Sequence, residues 1–387
     1  MDLTKNFYKE NETDIERRPI VIENGTATTR AGFAGEEIPK VHFSTVIGKP
    51  RRTGGCMIGI GGKSSYIGEE AKKSSRISIN YPVRNGIISN YTDLEQIWFD
   101  IFYNELGVDP EHHSVLFVES PFNIDSSRAQ TAQIMFERFL VPNFLTKNSA
   151  FLALFSIGKK SGFVVDSGES FTSFVPIFNE KILTHNLSKV GFAGKKLNGH
   201  FSQLLTKKKR NFRLLASKES IINIKENDCY VAFDYEEEMQ INSKMKFMKK
   251  FLVGNKEYSF KLGSELFEMS EVFFDPKMQK FHQSTIQKCA CDIILDCEEK
   301  VQKELFSNIL LIGGSSLIRG FDERLQKEIC KIADDNFEVN VIAPSERKHL
   351  AWIGGSKFAS IPDFEKNCIS REEYLEKGEQ IFYQEDY

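Results

Sequence analysis

The sequence predicts an α/β protein built from two duplicated domains. Its 387 residues exceed the roughly 250–300 at which a single hydrophobic core stops growing. Short apolar runs alternate with amphipathic helical patterns, as they do in layered α/β proteins. A strand that ends in an acidic residue near a glycine occurs twice, at Glu23 and at Asp166, and the separation of 143 residues is about one domain.

The composition is that of an ordinary globular protein. Hydrophobic residues make up 41%, charged residues 27%, and the net charge is −3, which argues against a general nucleic-acid binder. The seven cysteines are scattered and odd in number, and no signal-like apolar run opens the chain, so we expect a reducing compartment. No apolar run approaches the roughly 20 residues of a membrane-spanning helix, so we expect a soluble protein.

Two short motifs allow two interpretations each. Cys289, Cys291 and Cys297 could suggest a metal site, but a structural zinc site needs a second ligand pair that the sequence lacks. We interpret them as buried helix cysteines. The tract KKKR at 207–210 could be functional, as a nuclear localisation signal or an anion-binding patch. The alternative, which we favour, is a solvated loop.

The first elements follow from polarity and turn residues. Residues 1–18 are polar and without period, so they predict an extension outside the fold. The fold begins near Pro19 with a strand over 20–22, a turn over 23–27 and a returning strand over 28–33.

Three helices and a strand follow in the first half. Thr92 and Glu95 form a capping box before apolar residues at helical spacing, namely Leu94, Ile97, Trp98, Ile101 and Phe102. A strand over 115–120 stops at Pro121. The next amphipathic helix has an apolar face of Ala132, Met135, Phe136, Phe139 and Leu140. A third helix, over 149–157, is nearly all apolar and so is predicted to be buried.

The second half repeats this organisation. A buried strand ends in Asp166, and a later strand over 308–312 leads into the glycine turn 313–316. A helix through Phe321, Leu325 and Ile329 follows. An apolar segment over 339–356 then precedes a polar, acidic tail.

The two carboxylate turns suggest a phosphate and metal site. Successive backbone N–H groups in a glycine turn can bind a phosphate, and a neighbouring carboxylate suits a hydrated magnesium ion. Either turn alone would be read as an ordinary type I turn. Their duplication favours a polyphosphate clamp, and a third glycine turn at 313–315 would let a flat base approach the backbone.

These residues resemble the actin family, within the superfamily of sugar kinases and heat-shock chaperone ATPases. The similarity runs from about Pro19 to Tyr387 and is carried by AGFAGEEIP (31–39), SSYIGEEA (64–71), DLEQIWFDIFYNEL (93–106), VVDSG (164–168), IKENDCYVAFDYEEEM (224–239), LLIGGSSL (310–317) and APSERKHLAWIGGS (343–356). It implies duplicated ribonuclease-H-like domains with a nucleotide cleft between them. The outer domain would be 19–156 plus 349–387, with a contact loop at 45–81, and the inner domain 157–348.

The resemblance also implies ATP or ADP with magnesium or calcium as the bound cofactor. By position, the nucleotide-binding residues would be Gly25, Thr26, Ala27, Arg30, Asp166, Gly168, Glu169, Ser170, Gly194, Lys225, Glu226, Gly314, Ser315, Leu317 and Lys348. Glu23 and Asp166 fall on the two acidic positions that hold the metal through water.

Departures from the family pattern bear on the chemistry. Ser149 and Ser173 occupy the positions where actins have a water-orienting Gln and His, so no catalytic residue is assigned here. Because phosphoanhydride hydrolysis depends on positioning and electrostatics, we expect it to be slower by about 10²-fold or more.

Other departures bear on affinity. Glu replaces Asp at 23, Ala27 replaces a glycine and Arg30 replaces a lysine; Asn85 replaces a modified His and Ile222 an Arg near the adenine. We expect reduced affinity. The alternative is that nucleotide is a structural filler, or absent.

Signals for assembly are mixed. The apolar, glycine-rich loop 54–62 matches the family's longitudinal contact loop, with Gly59, Gly61, Lys63, Ser65 and Tyr66 kept, although a plain edge hairpin has comparable support. In the lateral plug around Lys277–Phe281, Gln279 and Lys280 replace apolar residues, and burying a lysine is costly.

We therefore expect a structural subunit that binds ATP with weak or absent hydrolysis in a cytoskeletal or multi-subunit complex. Its partners would be other actin-family subunits, without direct nucleic-acid binding, in the cytoplasm and cytoskeleton, with the nucleus as the alternative. The competing hypotheses are a polymerising, hydrolysing actin and a nuclear chromatin-complex subunit. A small-molecule kinase is disfavoured because no substrate-domain insertion is visible.

Overall fold

The computed structural model describes residues 17–50, 65–73, 77–208, 218–242, 247–253, 256–278 and 284–383. Most of the expected N-terminal extension and residues 51–64 and 74–76 of the contact loop lie outside these residues. So do the plug residues Gln279 and Lys280, Lys209 and Arg210 of the basic tract, and the tail 384–387. The chain divides into two compact units. Unit one is Met1–Gly158 with His349–Tyr387, and unit two is Lys159–Lys348.

Unit one is built on a six-stranded mixed sheet. Its strands run in the order Ile369–Ser370, Asn143–Asn148, Val115–Glu119, Ile20–Asn24, Thr28–Phe33 and Val41–Ser44. Two smaller sheets join Ile47–Pro50 with Tyr66–Ile67 and Ile77–Asn80, and Val83–Arg84 with Ile87–Ile88.

Helices cover both faces of this sheet. They are Glu69–Lys72, Tyr91–Phe99, Asp125–Glu137, Ser149–Ser156, Leu350–Ala359 and Arg371–Lys377, with a π-helix at Asp100–Leu106 and 3-10 turns at Pro110–His112, Phe364–Asn367 and Gly378–Tyr383. One face buries Trp98, Phe102 and Phe136, and the opposite face buries Leu152 and Trp352. The sheet is therefore packed between two apolar layers.

Several element boundaries differ from the sequence predictions. The capping box at Thr92 is wrong, because the helix begins at Tyr91 and its N-cap is Asn90, whose side chain accepts a hydrogen bond from Asp93 N at 3.0 Å. Asn caps helices as well as Ser does. The next helix ends at Glu137, so Phe139 and Leu140 lie beyond it, and Leu140 has a positive φ of 56°.

Unit two has an equivalent central sheet. Its strands run in the order Lys181–Ile182, Thr172–Phe178, Gly162–Ser167, Ile309–Ile312 and Val341–Ile342, and Ser188–Val190 also pairs with Thr172–Phe178. A separate hairpin joins Phe247–Val253 and Lys256–Leu262.

The helices of unit two pack around one large core. They are Gly194–Lys208, Lys218–Asn227, Tyr235–Asn242, Glu265–Glu271, Ile286–Leu295, Glu299–Ser307 and Phe321–Cys330, with 3-10 turns at Thr184–Asn186, Pro276–Met278 and Gly314–Leu317. Cys289 and Cys291 lie on a helix, as expected, but Cys297 lies after its end. In the described residues, every helix is too short or too polar to cross a bilayer.

The duplication extends to the strand connections. In unit one, Ile20–Asn24 pairs antiparallel with the next strand and parallel with Val115–Glu119. In unit two, Gly162–Ser167 pairs antiparallel with the next strand and parallel with Ile309–Ile312. Each unit therefore ends its central strand in a tight carboxylate turn of the same topology.

Candidate functional site

Hydrogen bonds from Gly25 and Asn24 hold the turn of unit one in place. Gly25 N donates to Thr28 O at 2.9 Å and closes the turn. Asn24 donates from Nδ2 to Thr29 Oγ1 at 2.9 Å and accepts from Trp98 Nε1 at 2.8 Å. Asn24 was not singled out from the sequence, because its partner Trp98 lies 74 residues away.

A neighbouring hairpin contacts the tip of this turn. Thr26 Oγ1 accepts a hydrogen bond from Gly86 N at 3.1 Å, and Ala27 is exposed. Asn85 and Gly86 have φ values of 51° and 72°, which a two-residue hairpin loop requires and which Asn and Gly tolerate best. The positive φ at position 85 of the hairpin loop therefore explains why Asn is found beside the turn.

Glu23 is paired inside unit one. Arg30 Nη1 donates to Glu23 Oε1 at 2.7 Å, and Arg30 Nε donates to His349 Nδ1 at 3.0 Å. Burial raises the pKa of the Glu23 carboxyl, and the Arg30 guanidinium opposes that rise. Because Arg30 can only donate, His349 must accept at Nδ1.

The second carboxylate turn gathers several expected site residues of unit two. Gly168 N donates to Phe171 O at 3.3 Å. The Gly168 carbonyl accepts from Ser315 Oγ at 2.7 Å and from Gly194 N at 3.1 Å. The third glycine turn and the start of helix Gly194–Lys208 are thus fixed directly onto this turn.

Two glycines pack closely against carboxylates. A Cβ on Gly313, which has a φ of +92°, would lie 2.4 Å from Asp166 Oδ1. A Cβ on Gly194 would lie 2.7 Å from Glu169 Oε2. The sequence reading linked the 313–315 turn to a base, and the structure adds that Gly313 lies against Asp166.

Glu169 and Lys225 share one electrostatic environment. Burial raises the pKa of Glu169, while Lys225, Lys218 and Lys195 act in the opposite direction. Burial lowers the pKa of Lys225, and Glu226 and Glu169 oppose that change. The Lys225 Nζ to Glu226 Oε1 distance is 4.0 Å. Glu169, Lys225 and Glu226 together offer both acidic and basic side chains to a polar ligand.

The remaining expected nucleotide-binding residues lie on adjoining segments. Gly314, Ser315 and Leu317 form the 3-10 turn after strand Ile309–Ile312, and Leu317 is 40% exposed. Lys348 is the last residue of unit two, and Ser170 is half-buried in the second turn.

The two serines at the water-orienting positions differ in setting. Ser173 pairs with Asp166 across the hairpin, so the two side chains share a face of the sheet. Its side chain is fully buried, and within the described residues its Oγ has no hydrogen-bond partner. Ser149 is half-buried and opens helix Ser149–Ser156, which Asn148 caps.

Glu23 and Asp166 are the carboxylates considered for a water-held metal. In the described residues, no group of three or more His, Cys, Asp or Glu is placed to hold a metal ion. A hydrated magnesium ion needs only one or two carboxylates. Asp166 is half-buried, and Glu23 Oε2 is a buried oxygen without a partner in the described part of the chain.

A comparison with protein families agrees with this architecture. The family model described as Actin matches residues 15–385, which is nearly the whole chain.

Proposed function

Because the chain belongs to the actin family, we propose that it binds ATP or ADP with a divalent metal, hydrolyses ATP slowly and acts as a structural subunit of a larger assembly. The support for binding is that each unit contributes a carboxylate turn of matching topology. In unit two that turn is already tied to Gly194 and Ser315.

The proposed contacts divide by chemistry. Backbone N–H groups of both turns, with Arg30, would bind the phosphates. Lys225 and Glu226 would hydrogen-bond the ribose and purine, and Gly314, Leu317 and Lys348 would pack around the base. Glu23 and Asp166 would hold the waters of magnesium or calcium, and that metal would supply charge neutralisation of the phosphates.

Slow hydrolysis rests on one observation, the unpartnered buried Oγ of Ser173 opposite Asp166. A hydroxyl at this position can donate one hydrogen bond and accept others. It cannot take up a proton as an imidazole can, and Ser149 is equally short. We infer that neither serine activates the water that attacks the phosphate.

Calorimetric titration with ATP tests the binding half of this proposal. We expect stoichiometric binding that strengthens with magnesium. Asp166→Asn, which keeps the shape and removes the charge, should abolish most of the magnesium dependence. Asp335→Asn, an exposed carboxylate of the same unit, serves as the control and should not change it. Failure of the unaltered protein to bind ATP at all would overturn the proposal.

The assembly role is tested by sedimentation with magnesium and ATP, with phosphate release followed in parallel. A subunit of a defined complex should stay in the supernatant by itself. Salt-reversible pelleting coupled to phosphate release would instead support the polymerising, hydrolysing alternative.

A further inference from the structure

The charge of this chain is concentrated in one segment. Residues 181–218 contain ten Lys and Arg and no Asp or Glu, whereas the whole chain has a net charge of −3. The other 349 residues therefore have a net charge of −13, from −3 minus +10. Charge asymmetry of this kind is typical of a surface that binds a charged partner.

The structure shows how the segment presents its charge. Helix Gly194–Lys208 buries Leu197, Phe201 and Leu205 in the core of unit two, where each is 0% exposed. Lys196 and Lys207 are exposed. They are eleven residues apart, which is close to three helical turns, so they lie on the same side about 16 Å apart.

Flanking elements add to this stripe. Helix Lys218–Asn227 packs against Gly194–Lys208, and Lys218 at its start is exposed. Lys181 and Lys189, on the two short strands before the helix, are exposed as well. We call the exposed lysines at 181, 189, 195, 196, 207 and 218 the basic surface.

We propose that the basic surface binds an acidic protein segment rich in Asp and Glu. Charge complementarity indicates that the partner is a polyanion. The burial and length of helix Gly194–Lys208 favour an acidic protein segment over a membrane surface or duplex nucleic acid. A membrane-surface helix inserts its apolar face into lipid, but the apolar residues of this helix are committed to the core.

Duplex nucleic acid fits less well. It is stiff over about 150 base pairs and has a charge every 1.7 Å or so, whereas the helix is about 22 Å long. A bound duplex would therefore extend well beyond the basic surface, whereas the rest of the chain has a net charge of −13. A flexible acidic segment can begin and end within the basic surface.

Fluorescence anisotropy with a labelled oligoglutamate peptide tests this proposal on the full chain. We expect saturable binding that weakens as salt is added. The double variant Lys196→Glu/Lys207→Glu should lower the affinity by about tenfold, because two favourable charges become repulsive.

The control variant Lys160→Glu/Lys300→Glu changes the net charge equally at side chains of the same unit that are 76% and 71% exposed. It should stay within about twofold of the unaltered protein. Thermal melting by circular dichroism checks that both variants fold.

Three results would overturn the proposal. The first is no peptide binding at low salt. The second is an equal loss of peptide affinity in both double variants, which would show that only the net charge of the protein matters. The third is tighter binding of duplex DNA, or of phosphatidylserine vesicles, than of the peptide, with the same sensitivity to Lys196 and Lys207.

Discussion

At the scale of single residues, Arg30 connects the first turn to a distant part of unit one. Its guanidinium donates to Glu23 and to His349, and its side chain is 6% exposed. A buried ion pair adds little net stability, but removing one partner leaves an uncompensated buried charge. Arg30 therefore matters to stability as well as to the proposed phosphate contact.

Replacing Arg30 with Met should destabilise unit one by about 3 kcal/mol near neutral pH. The folded-state pKa of Glu23 is already raised by burial, and loss of Arg30 would raise it further. Glu23 is protonated in both states at low pH, so the deficit should be small there. It should grow once the pH rises above the folded-state pKa of Glu23 in the unaltered protein, which burial holds above the ordinary value for Glu. Denaturant unfolding across pH measures this, and a deficit independent of pH would contradict it.

Ser149 offers a gain-of-function prediction. Ser149→Gln restores a side chain long enough to orient water and should raise phosphate release by about tenfold. Ser149→Ala is the control and should leave the slow rate unchanged. The companion change Ser173→His is less informative, because Ser173 is fully buried and overpacking costs about 1–3 kcal/mol. A Gln variant as slow as the Ala variant would argue against this role.

At the scale of elements, local patterns predicted most strands and helices, while their ends depended on choices between similar residues. Asn90 and Thr92 both suit an N-cap, and only the Asn90 contact with Asp93 N decides between them. The π-helix Asp100–Leu106 was not predicted, because its apolar spacing continues that of the preceding α-helix. His349 was missed as the partner of Arg30 because 319 residues separate them.

The corrected helix start gives a paired prediction. Asn90→Ala should cost about 1–2 kcal/mol, since Asn90 caps the helix and also donates to buried Asp93 at 2.9 Å. Thr92→Ala should cost less than about 0.5 kcal/mol. Denaturant melts of both variants measure the difference, and the reverse order would restore the capping box.

The third glycine turn gives another matched pair. Gly313→Ala should destabilise unit two by about 3 kcal/mol or more, because its φ is +92° and its Cβ would meet Asp166 and Ser167 at 2.4 Å. Gly314→Ala is the neighbouring control, with nothing within 4 Å of the added carbon. Thermal melting compares them, and equal melting temperatures would show that the Gly313 contact is not required.

At the scale of the whole molecule, the repeat visible in two short turns correctly indicated a duplicated architecture. Short strand and turn motifs can be recognised in the sequence because they depend only on neighbouring residues. The charge at 181–218 was noticed only as the tract 207–210, since its significance depends on which side of helix Gly194–Lys208 is buried.

Our central proposal is that the chain binds ATP and hydrolyses it more slowly than conventional actins do. The most direct test is chromatographic identification of the nucleotide retained after the protein is loaded with magnesium and ATP, freed of excess and incubated beside a conventional actin. We predict that the protein retains ATP while the conventional actin, under polymerising conditions, retains ADP. Conversion of the bound ATP to ADP at the same rate in both would contradict the account.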